Sequence, residues 1–389
     1  MPEEAPEQAK GNRPRDHPIL VALIGAGAVV AAALISVIFV RGGNGGGSPQ
    51  PSSSTSAPAS QPVSSPVKNY QLPIPVKPEF RLYDPGSTGV YGVAFTRSGT
   101  LAAGDLNGSA YLWDVAGAKV TGMLPDYSRE GIFGVAFNPD GTVLAASTLD
   151  VHGYAKGSVV LWKTSPGKLV ATLNAPDGRG FGNPPAFSPD GSTLAAANAD
   201  GSIYLWNTAT GKPSGRLTDP GSQVDFGIAF SPSTGFLAAA DKNGTAFLWN
   251  TKQSSIVRTF QDPGSRGVSG VAFSPDGTTL ATGDNNGNVY LWNVATGALK
   301  ATLYGPKGGV VQSIAFSPRG TIVAAASDND NKNKYVTCLW NTAGKLLATF
   351  QDPGSLGVTR IAFSPDGSIL AVGDENASTY IWNMSWQNS

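Results

Sequence analysis

From residue 80 onward, short apolar segments alternate with clusters of Gly, Pro, Asp and Asn. The pattern is clearest at 271–293, VAFSPDGTTLATGDNNGNVYLWN. VAF reads as a short strand and SPDG as a turn, with Pro and Gly where a turn favours them. LATGD reads as a second strand and NNG as a tight hairpin turn. VYLWN, β-branched and aromatic, reads as a third. A turn such as TATGK then leads to a fourth strand such as KLVATL at 168–173.

This unit recurs seven times. Its Phe returns as Phe95, Phe137, Phe187, Phe230, Phe273, Phe316 and Phe363, at spacings of 42, 50, 43, 43, 43 and 47. Its Trp returns as Trp113, Trp162, Trp206, Trp249, Trp292, Trp340 and Trp382. A period near 40–45 with strand-like segments is that of propeller blades, so the sequence predicts an all-β, seven-bladed β-propeller over 79–389. The recurring Phe and Trp are expected to fill the space between blades. The chain enters this region with a fourth strand, before Asp84-Pro85-Gly86-Ser87, and leaves it, after Trp382, with a third. Residues 79–84 are therefore expected to complete the blade of Trp382 and close the ring, removing an exposed sheet edge.

The AFSPDG…LA.GD..G.VYLWN pattern resembles WD40 repeats over about 310 of the 389 residues. That resemblance implies a seven-bladed propeller and, most often, a protein-interaction platform. Two features depart from it. The Gly-His dipeptide before the first strand is absent, and Asp-Pro-Gly-Ser takes its place at 84–87, 219–222, 262–265 and 352–355. The closing Trp-Asp survives only as Trp113-Asp114 and is otherwise mostly Trp-Asn. Without the His-containing network, blade stability is expected to rest on packing and on the alternative turns.

The N-terminal part has a different character. Residues 1–18 are polar. Residues 19–40 carry no charge, and as a helix these 22 residues span about 33 Å, one bilayer core. Lys10, Arg13 and Arg15 precede this span and only Arg41 closely follows it. That bias places 1–18 in the cytoplasm as a tail and the propeller outside, on a single-pass plasma-membrane anchor. A cleaved signal peptide is the alternative. Residues 41–78, rich in Gly, Ser, Pro and Thr, read as a disordered linker.

Equal numbers of basic and acidic residues, 27 each, argue against nucleic acid as a partner. Two histidines and one cysteine leave little for zinc or for a nucleophilic triad. No catalytic, cofactor or metal residue is assigned. Cys338 reads as a buried thiol in a strand. Asp105, Asp241, Asp284 and Asp374, just before the hairpin turn, read as acceptors for turn backbone. The run from Asp328 to Asn333 has part of a calcium loop's spacing, but Lys332 breaks the series and the sharp-turn Gly is missing. The innermost strands offer Asp225 as the nearby carboxylate and no acid/base pair for glycoside cleavage.

Positions that differ between copies are free of the scaffold's demands. Four residues before each recurring Phe stand Tyr91, Phe133, Asn183, Phe226, Ser269, Gln312 and Thr359. Arg129 and Arg179 lie in neighbouring loops, and an enlarged hairpin at 148–156 carries His152 and Tyr154. Aromatic residues beside Arg are the composition of interface hot spots, though for any single ring the reading as core filling the channel mouth is preferred. A non-catalytic scaffold or sensor for protein partners is the leading reading. It resembles the propellers that bacteria append to membrane-spanning Ser/Thr kinases, without any kinase motif. A module for cell-wall glycan or a small ligand is the alternative, and would need Tyr91, Phe133 or Tyr154 exposed.

Overall fold

The computed structural model describes residues 77–385 except 126–129, 150–156, 177, 219–224, 265–266, 306–308 and 329–334, and for Asp225, Phe226 and Asp328 the backbone alone. The tail, the apolar span and nearly all of the linker lie outside the described residues, as do Arg129, His152, Tyr154 and most of the calcium-like run. Among the described residues, no helix is long and apolar enough to cross a membrane.

Seven four-stranded antiparallel sheets make up the propeller. In the first blade the strands are Val90–Phe95, Thr100–Asp105, Ser109–Asp114 and Lys119–Pro125, paired in that order from the centre outward. The innermost strands of the second to seventh blades are Gly131–Phe137, Ala186–Phe187, Asp225–Phe230, Val268–Phe273, Val310–Phe316 and Val358–Phe363. Each innermost strand touches its neighbours in cyclic order, and the last touches the first.

The second and third strands are apolar on both faces, because each sheet is covered on both sides by other blades. Successive residues of a strand point to opposite faces. Leu101 and Ala103 therefore pack towards the seventh blade, and Ala102 towards the second. The buried apolar residues form seven clusters, each shared by two adjacent blades. All seven recurring Trp residues are buried among them. The recurring Phe residues differ from expectation. They sit at the far end of the innermost strand, half-buried, and cover the clusters rather than fill them.

Ring closure follows the predicted route. Phe80–Tyr83 pairs antiparallel with Ser378–Asn383, Phe80 opposite Ile381 and Tyr83 opposite Ser378. Leu82 is 2% exposed, packed with Val90, Trp113 and Ile381 at the closing interface. Removing residues 72–84 would uncover that strand edge and the apolar surface beneath Leu82. The expected result is a lower thermal midpoint and aggregation on size-exclusion chromatography. A melt identical to that of the intact chain would show that closure contributes nothing.

Candidate functional site

The turns that replace Gly-His tie the blades together at one end of the ring. Asp84 accepts a hydrogen bond from Trp113 Nε1 at 2.8 Å, and Asp352 one from Trp382 Nε1 at 2.9 Å. Ser87 and Ser355 donate to Asp105 and Asp374. Asn107 and Asn376 donate from Nδ2 to the carbonyls of Gly86 and Gly354, and the Tyr111 and Tyr380 hydroxyls to those of Pro85 and Pro353. The expectation that the alternative turns would share with packing the role of the missing histidine network is met in these two turns. A Ser–Asp and an Asp–Trp pair supply a polar network of their own, the Asp–Trp bond buried where it is worth most and the Ser–Asp bond part-buried. The Asp–Trp pair is not universal: after Asp262, Trp292 Nε1 donates to Thr282 Oγ1 at 2.8 Å, and in two blades that lack Asp-Pro-Gly-Ser the indole finds a carbonyl, that of Pro125 for Trp162 and that of Tyr304 for Trp340.

Asp105, Asp241, Asp284 and Asp374 hold the hairpin turns as predicted, each accepting from the backbone N–H two residues on. Among the described residues no group of three or more His, Cys, Asp or Glu could hold a metal ion. Cys338 is buried, and burial pushes its thiol up to about 11. The turns joining blades and the hairpins inside them bond to one another, so both open on the same face. Arg179 stands exposed in such a turn of the third blade.

The residue four places before each recurring Phe has a common backbone setting. The ladder between the first two strands slips between Val90 and Gly92, Ile132 and Gly134, Val268 and Gly270, Val311 and Ser313, and Val358 and Arg360. Tyr91, Phe133, Ser269, Gln312 and Thr359 are therefore the extra residues of β-bulges, which re-aim a side chain out of the ladder. In the fourth blade the slip falls between Asp225 and Ile228 and brackets Phe226. In the third, whose innermost strand is only Ala186–Phe187, Asn183 precedes the strand.

These side chains do not share one environment. Phe133 is 7% exposed and packs on Tyr91 with ring centroids 5.4 Å apart. It packs as core, in keeping with the reading preferred for a single ring, and does not provide the exposure that stacking on a glycan would need. Tyr91 is half-buried; burial and then the Glu375 carboxylate, to which its hydroxyl bonds, raise its pKa. Ser269 and Thr359 are buried and donate to the carbonyls of Val311 and Val90 in the next blade. Gln312 and Asn183 are half-buried.

One functional candidate escaped the sequence reading. Arg360, in the innermost strand of the seventh blade, donates from Nη1 to the carbonyls of Gln312 at 3.1 Å and Thr359 at 2.9 Å, and from Nη2 to Asn183 Oδ1 at 3.2 Å. Asn183 belongs to the third blade, so the side chain crosses the central channel. The available signal was its register: three before the recurring Phe the copies read Gly92, Gly134, Pro184, Gly227, Gly270, Ser313 and Arg360.

Comparison with known proteins bears on this geometry. The family model for the WD domain, G-beta repeat (WD40) matches residues 77–114, 186–207, 211–250, 254–293, 297–332 and 344–383, more than half of the chain. The chain belongs to the WD40 family. The model passes over the second blade, which the structure nonetheless shows as a complete sheet. Among curated proteins no sequence matches. A chain from the solved "Crystal Structure of Mitotic Checkpoint Complex" is 20% identical, with a TM-score of 0.68, covering 85% of this chain and 96% of its own. At that identity the likeness shows the fold alone. WD40 propellers are generally non-catalytic scaffolds and commonly bind proteins.

The carboxyls of Asp84 and Asp352 are raised to about 7, chiefly by burial. Unfolded, each would titrate near 3.9. Between about pH 4 and 7 the folded chain binds more protons, so their contribution to stability falls as pH rises through that window. The expected thermal midpoint declines across it by a few degrees. An Asp84→Asn/Asp352→Asn variant, whose amides mimic the protonated acids, should flatten the slope and melt higher than the parent at pH 8. An unchanged slope would show that these carboxyls titrate normally.

Proposed function

We propose that this WD40 propeller is a non-catalytic docking platform for protein partners, tethered to the plasma membrane by residues 19–40 and presented outside the cytoplasm. The observation that carries the docking role is the series of β-bulges. At one register, in five of the seven blades, a bulge turns a residue out of the ladder, and that residue varies from blade to blade, beside turns pinned by hydrogen bonds. A rigid framework bearing variable residues is what a binding surface requires. The neighbouring solved chain occurs in a complex, in keeping with this role. The tether is supported by the uncharged length of 19–40 and by the cations before it.

Among the exposed described residues of this face are Arg179 and Leu356, the latter 62% exposed. The test is quantitative crosslinking in intact cells with the full chain, its Arg179→Glu/Leu356→Asp variant, and a control, Lys163→Glu, at the exposed last residue of a strand at the opposite end of the blade. The expected outcome is one set of proteins captured by parent and control and reduced severalfold with the face variant. Equal capture by all three would move docking away from this face, and recovery of cell-wall glycan without protein would replace the proposed partner class. Separately, the chain should resist alkaline extraction from membranes and lose that resistance when 19–40 are deleted. Complete extraction of the intact chain would overturn the tether.

A further inference from the structure

Inner strands of neighbouring blades approach so closely that the register of Arg360 favours small residues. A Cβ on Gly134 would lie 2.3 Å from Cα of Pro184, and one on Gly92 would lie 2.8 Å from the nitrogen of Val135. Gly, Pro and Ser fill six of the seven positions, and Arg360 is the exception. Its guanidinium is held at three points by three blades. All three acceptors are neutral, and no described carboxylate forms an ion pair with it. Burial lowers its pKa only to about 10, so it stays charged at neutral pH.

Arg360 is half-buried, and a cation partly withdrawn from bulk water without a counter-charge carries a cost that an anion entering the channel would offset. Two donors, Nε–H and the second Nη2–H, make no bond to a described residue. A carboxylate accepts two parallel bonds from such a planar fork. The guanidinium lies at the level of the bulge residues, since Gln312, Thr359 and Asn183 all belong to that register. Access is therefore from the face bearing the turns.

We infer that the central channel is an anion-binding site in which Arg360, steadied by Asn183, takes a carboxylate. The carboxylate is either that of a free dicarboxylic acid or that of an acidic side chain inserted by a docking protein. The site stands on channel residues alone and would survive failure of the docking role proposed above.

The full chain in detergent is titrated calorimetrically with malonate and, separately, with a capped glycyl-aspartyl-glycine peptide, at fixed ionic strength. At least one probe should bind at a single site, and Arg360→Gln should weaken that binding by roughly tenfold or more with the melting temperature retained. Tighter binding of the peptide identifies a side chain of a partner as the source; tighter binding of malonate identifies a free acid. If Arg360→Gln fails to fold, Arg360→Lys serves instead. It keeps the charge, loses the fork and should also bind roughly tenfold more weakly. No binding of either probe below about 10 mM, or affinity unaffected by the substitution that folds, overturns the inference. Binding that appears only after Asp225→Asn would show that the chain's own carboxylate fills the site, and overturns it equally.

Discussion

Every sheet of this propeller is apolar on both faces, and that single constraint organises the rest. A sheet of this kind cannot stand alone in water, nor can a short row of them, because the outermost members would leave one face bare. Closing the row into a ring is the arrangement in which each face finds another. The apolar residues accordingly lie in seven clusters between blades, with a buried indole in each blade's third strand. The pairing of Phe80–Tyr83 with Ser378–Asn383 joins the two ends of the chain within one sheet. Opening the ring then requires breaking backbone hydrogen bonds as well as apolar contacts.

Packing between blades sets their spacing but leaves their turns unsecured. The buried Ser, Asp and Trp groups do that work. Each Asp-Pro-Gly-Ser turn with described side chains in the first and seventh blades reaches from one blade's outer strand into the next blade's core, joining indole, hydroxyl and carboxyl. Such turns display neighbouring side chains from a fixed backbone. The bulges add a second device at the same level, freeing one residue from the ladder in each of five blades. Some of these residues are spent on the scaffold: Phe133 packs against Tyr91, and Ser269 and Thr359 tie adjacent blades. Others border the open face. A repeated framework thus carries its individuality at a few registers, and Arg360 is the sharpest departure among them.

Most of the fold was legible in the sequence because it rests on local patterning repeated seven times. Strand, turn and hairpin follow from residue types a few positions apart, and the period then dictates a ring. Even the closing strand could be read, since its Asp-Pro-Gly-Ser appears at both ends of the repeat. The hairpin Asp residues were equally legible, their acceptors lying two residues from the donors.

The tertiary structure alone decided what depends on distance between blades. The half-burial of the recurring Phe, the covering of Phe133, and the role of Asp84 and Asp352 as acceptors for indoles 29 and 30 residues away arise where separate repeats meet. The reach of Arg360 to Asn183 spans 177 residues of sequence and the width of the channel. Local pattern determined which elements form and how many. The chemistry at the centre of the ring was decided by closure, because only closure brings blades remote in sequence within hydrogen-bonding distance.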